Sequence, residues 1–108
     1  MNETLQGLYE VIKGRQENPQ EGSYTCYLFE KGLDKILKKC GEECSEMIIA
    51  AKNMDNDELK NEISDLVYHV LVLMAQQNLS LEEVEEVLEQ RRQKIGNLKQ
   101  FHVSDHNT

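Results

Sequence analysis

Two long segments of this chain repeat apolar residues at helical spacing, and the turn between them is so short that they must lie side by side and antiparallel. From about Leu33 to Asn53 the apolar set is Leu33, Ile36, Leu37, Cys40, Cys44, Met47, Ile48 and Ala51. From about Glu58 to Gln77 it is Leu59, Ile63, Leu66, Val67, Val70, Leu73 and Met74. Met54–Asp57 supplies the turn, with Asp55 or Asn56 as the expected N-cap. A helical hairpin is the one arrangement that buries both stripes.

Further helices complete the expected architecture. Leu5, Leu8, Tyr9 and Ile12 mark a first helix over about residues 3–14, before Gly14, Pro19 and Gly22 punctuate a loop. A short helix is expected from Tyr24 to Glu30, ending near Gly32. Ser80 followed by Glu83 forms a capping box that opens another helix to about Ile95. The reading is all-α: an antiparallel four-helix bundle over residues 1–95, with 96–108 as a flexible tail. Ile49 and Val72 fall off the expected core stripes, and an apolar second face predicts completion by homodimerisation.

Composition narrows the function. The 108 residues hold 20 acids against 12 bases, a net charge of −8, which disfavours a general nucleic-acid binder. Cys40 and Cys44 lack zinc spacing and read as small core residues. With no signal-type apolar run and no membrane-length segment, a cytoplasmic location is expected. The run Glu82, Glu83, Glu85, Glu86 reads as a solvated face, and His102 and His106 as part of the tail.

Four other acids are different. The pairs Glu43/Asp65 and Glu46/Glu62 share one midpoint, Met54, so the hairpin puts all four at one height. Taking about 100° per residue from each stripe's centre, Glu43 and Glu62 fall about 80° round, and Glu46 and Asp65 about 140°, in the same rotational sense. Antiparallel helices turn such offsets toward each other. Carboxylates held this way repel by roughly 1–4 kcal/mol per close pair at about 4 Å. A hard divalent cation relieves that repulsion; oxygen-only donors point to magnesium, with manganese the alternative. No Glu-x-x-His pair occurs, which excludes a ferritin-like di-iron set. Glu42 lies further round, at the rim or toward a partner chain. Lys35 and Lys39 share the acids' flank, with Lys38 and Arg15 expected nearby, and suit phosphate oxygens. His69 follows Asp65 by one turn, as a partner of the ligands, a proton carrier or a packed histidine. Gly41 inside a helix costs about 1 kcal/mol against alanine, which suggests a close approach to its backbone.

The pattern Glu42-Glu43-x-x-Glu46 followed by Glu62-x-x-Asp65 resembles the all-α nucleoside triphosphate pyrophosphohydrolases. Within them, Gly22-Ser23-Tyr24-Thr25, Leu28, Gly32, Lys35-Ile36, Lys39-Cys40-Gly41-Glu42-Glu43 and Asp65-Leu66-Val67-Tyr68-His69 resemble the phosphoribosyl-ATP pyrophosphatase family of histidine biosynthesis. The resemblance spans about residues 5–95; Cys44 and Ser64 stand where alanine is usual. It implies magnesium-dependent hydrolysis of phosphoribosyl-ATP to phosphoribosyl-AMP and pyrophosphate. By it, Glu43, Glu46, Glu62 and Asp65 would be the metal ligands, and Glu42 a further ligand or the base that orients water. Lys35, Lys39 and Arg15 would clamp phosphate, and Ser23, Tyr24 and Thr25 would meet phosphate or ribose. Many relatives fuse this domain to a cyclohydrolase; with no second domain here, that step is expected on another chain. Two competing readings are a housecleaning pyrophosphohydrolase for other nucleotides and a non-catalytic helical dimer that binds a structural cation.

Overall fold

A computed structural model describes residues 2–96. It contains five helices, α1 (Asn2–Glu17), α2 (Tyr24–Lys31), α3 (Leu33–Lys52), α4 (Asn56–Gln76) and α5 (Leu81–Gly96), and no strand among the described residues. Apart from Gly96, the expected tail with His102 and His106 lies outside the described residues. None of these helices is long and apolar enough to cross a membrane.

Local chemistry explains each boundary of the hairpin. At the end of α3 the Met54 and Asp55 N–H groups donate to the Ala51 and Ala50 carbonyls at 3.1 and 3.3 Å, with Met54 at φ 59°. This is a Schellman stop, which satisfies carbonyls the helix leaves open. Asp55 then caps α4, its Oδ1 accepting from the Glu58 N–H at 3.1 Å. The stop recurs after α4, where Asn78 sits at φ 58° and the Leu79 N–H donates to the Met74 carbonyl at 2.8 Å. The expected capping box opens α5: the Ser80 N–H donates to Glu83 Oε1 at 2.9 Å and the Glu83 N–H to Ser80 Oγ at 3.1 Å. Helix α1 runs past Gly14, where the sequence reading stopped it. Its extra turn is anchored, because the Gln16 amide donates to the Ala75 carbonyl at 3.3 Å.

The core gathers Tyr9, Ile12, Leu28, Ile36, Leu71, Val72, Met74, Ala75 and Leu81. This corrects the expected stripes. Leu37, Ile48, Ala51, Ile63 and Val70 are exposed, whereas Val72 is wholly buried. From Leu66 to Ala75 helix α4 is apolar almost all round, so periodicity does not select its inner face. Packing of α1 and α2 selects it, and Leu71, Val72 and Ala75 turn inward. Ile49 is exposed, as expected. Cys40 packs against the core and Cys44 is half-buried; both are free thiols. A Cβ on Gly41 would meet nothing within 4 Å, so the expected close approach does not occur among the described residues.

Helix α5 does not close a bundle in one chain. Leu81 and Val84 join the core, but from Glu86 to Gly96 every residue is exposed, including Val87, Leu88 and Ile95.

Candidate metal centre

The hairpin brings acids from both of its helices to one point. Glu43 on α3 and Glu62 and Asp65 on α4 each present a carboxylate oxygen, and the three oxygens lie within 4.8 Å of one another. Glu43 and Glu62 are only 6% and 9% exposed, while Asp65 is open to solvent. Burying a carboxylate is costly unless its oxygens are satisfied. Glu62 is not satisfied: its Oε1 is buried without a hydrogen-bond partner among the described residues. Burial, with the Glu46 and Glu58 carboxyls beside it, pushes its pKa up to about 7.

Glu43 has compensation from Lys39, whose Nζ lies 3.6 Å from Glu43 and 3.3 Å from Glu42. Burial pulls the Lys39 pKa down, but Tyr24, Glu42 and Glu43 outweigh it and the net shift is upward. Lysine here stays cationic at the edge of an acidic cluster. The three converged donors are all carboxyl oxygens, and one buried oxygen is orphaned among the described residues. That combination fits a hard divalent cation and offers no nitrogen or sulfur for a softer one.

Glu46, the fourth expected ligand, is exposed and outside the trio, though beside Glu62. Glu42 is exposed and lies 3.3 Å from Lys39 Nζ. His69 is buried and does not meet the acids through their carboxylates. Its Nδ1 lies 2.8 Å from the Asp65 backbone carbonyl, which only accepts, so Nδ1 carries a proton and donates. In the neutral ring Nε2 then accepts from the Tyr24 hydroxyl at 3.0 Å. Next to this link the Thr25 and Tyr68 hydroxyls bond each other. The first turn of α2 is therefore clipped twice to the ligand helix α4.

Ser23, Tyr24 and Thr25, expected to meet substrate, make bonds within the chain. Tyr24 and Thr25 hold α4, and the Ser23 Oγ caps α2 by accepting from the Cys26 N–H at 3.2 Å. Lys35 Nζ sits 5.9 Å from the centroid of the Tyr27 ring, whereas Lys39 Nζ pairs with Glu42 and Glu43. Arg15 lines a groove between the end of α1 and α2, together with Ser23 and Tyr27. Sequence reasoning missed Glu58 and the role of Tyr68. Glu58 was within reach, standing one turn before Glu62 on the same helix face. Tyr68 stood in the stretch that carries the family resemblance, but only the docking of α2 gives its hydroxyl a partner.

A helical hairpin with three converged carboxylates and a flanking lysine defines an all-α protein built around a cation-competent acidic site. The chain belongs to the phosphoribosyl-ATP pyrophosphohydrolase family, whose sequence profile matches residues 5–92. It is 62% identical over 92 residues to a phosphoribosyl-ATP pyrophosphatase of Listeria welshimeri, covering 85% of this chain and 88% of that one. A phosphoribosyl-ATP pyrophosphatase of Clostridium acetobutylicum is 57% identical over 99 residues, 92% of this chain and 90% of its own. A histidine biosynthesis bifunctional protein of Caldanaerobacter subterraneus is 56% identical over 92 residues, 85% of this chain and 45% of that protein.

Proposed function

We propose that this chain hydrolyses phosphoribosyl-ATP to phosphoribosyl-AMP and pyrophosphate in the second step of histidine biosynthesis. The observation that carries this reading is the convergence of Glu43, Glu62 and Asp65 around an orphaned buried oxygen, in a chain of this family. These three residues would hold Mg2+, with Glu46, beside Glu62, as the further candidate ligand. When bound, magnesium (or manganese) neutralises charge on the phosphoanhydride and acidifies a water. The Lys39 ammonium, now 3.3 Å from Glu42 and 3.6 Å from Glu43, would pair instead with a phosphate oxygen of the substrate. That frees Glu42, at the solvent rim, to orient the attacking water and accept its proton. His69 and Tyr24 fix the turn of α4 that carries Asp65.

The direct test is pyrophosphate release from phosphoribosyl-ATP with magnesium, run beside dUTP, dCTP and ATP. Release from phosphoribosyl-ATP alone, abolished by EDTA, is expected. Release from a deoxynucleotide instead would keep the metal site and overturn the substrate. No release from any of them would favour a non-catalytic cation-binding scaffold.

The same reading includes a cytoplasmic homodimer. Leu37, Gly41, Cys44 and Ile48 recur on one side of α3, and Leu37 and Ile48 are exposed there, as are Ile63 and Val70 on α4 and Leu88 (58% exposed) on α5. A second copy covers this face and seats against the open Cβ position of Gly41. Ile48→Asp should convert a sedimenting dimer to monomer with helical circular dichroism retained. A wild-type monomer, or a variant that still dimerises fully, would refute the assignment.

A further inference from the structure

The groove between α1, the following loop and α2 is separate from the acidic trio. It encloses about 590 Å³, with Arg15, Gly22, Ser23, Tyr27 and Phe29 among its walls. That volume lies in the roughly 300–1,000 Å³ range of small-molecule sites. Arg15 makes no ion pair and donates no side-chain hydrogen bond among the described residues. Glu21 and Glu30 also line the groove, yet both are exposed and neither lies within ion-pair distance of Arg15. A free guanidinium in a chain of net charge −8 is the feature to be explained. The groove also connects to the metal trio. The Tyr27 and Tyr24 rings stack with centroids 6.0 Å apart, and Tyr24 reaches the Asp65 backbone through His69.

We propose that this groove binds the ribose 5-phosphate arm of phosphoribosyl-ATP, with Arg15 pairing to its phosphate while the triphosphate lies at the acids. The inference rests on the proposed function. Phosphoribosyl-ATP differs from ATP by this arm, so selection between them needs a contact that ATP cannot make. A phosphate monoester matches the planar fork of a guanidinium. The acidic trio repels a phosphate that brings no cation, so the two ends of the substrate require different hosts.

Ribose 5-phosphate is the probe, titrated into the full-length protein in EDTA, which silences the triphosphate site. Amide chemical shifts should move at Gln20–Ser23 and Tyr27, and Arg15→Gln should abolish them. In the magnesium-loaded enzyme Arg15→Gln should raise KM for phosphoribosyl-ATP roughly tenfold or more, with Arg15→Lys recovering part of the loss. Shifts centred on Lys39, no shifts, or equal shifts in Arg15→Gln would overturn the inference and leave the hydrolysis reading standing. Failure of the wild type to hydrolyse phosphoribosyl-ATP would overturn that reading instead, whatever the groove binds.

Discussion

Glu62→Gln should reduce pyrophosphate release by about 10³-fold or more, while making the metal-free protein more stable above neutral pH. Both effects come from one oxygen. Glu62 Oε1 is buried and unpartnered, and the pKa of the group rises from an ordinary 4.5 to about 7. Between those values the native protein keeps a proton that the unfolded chain has released. The native state then binds more protons, and stability falls as pH rises. The contribution is fully present below about pH 4.5 and lost through about pH 7. Glutamine does not titrate and removes that slope. Melts in EDTA at pH 5 and pH 8 should show the variant gaining on the wild type at the higher pH. Added magnesium should stabilise the wild type by mass action, about 2.7 kcal/mol at a hundredfold excess over Kd, and the variant far less. A variant that is destabilised at pH 8 in EDTA, or that turns over normally, would contradict the assignment.

Leu28→Ala should cost about 3 kcal/mol of stability and loosen the site. Helix α2 has eight residues, too few to persist in water by itself. Leu28, fully buried, ties it to the core. The same helix carries Tyr24 and Thr25, which bond His69 and Tyr68 on the ligand helix. Loss of the anchor should therefore lower the urea midpoint and also raise KM. Tyr24→Phe, which removes one hydrogen bond, should cost only about 1 kcal/mol. A Leu28→Ala penalty no larger than that would mean that α2 is held by its polar clips rather than by the core.

Much of the site was legible because a hairpin is a local structure. Once Met54 is the midpoint, the heights of Glu43, Glu62 and Asp65 follow from helical rise, and their convergence follows from antiparallel symmetry. The inner face of α4 was not legible. Leu66 to Ala75 offers apolar residues in nearly every direction, and the buried position of Val72 exists only because α1 and α2 pack there. Glu46 illustrates the same limit from the polar side: it lies beside Glu62, yet it is exposed and outside the trio.

The sequence by itself determined the helices, the cap of α4 and the capping box of α5, the hairpin and the acids on it. Those depend on contacts between residues a few positions apart, which spacing records. Only the tertiary structure decided that Tyr24 and Thr25 bond His69 and Tyr68, that Lys35 sits beside the Tyr27 ring, and that Arg15 lines a groove without an ion pair among the described residues. Each of those outcomes turns on where α2 comes to rest against α1 and α4, and burial of Leu28 in the shared core settles that position.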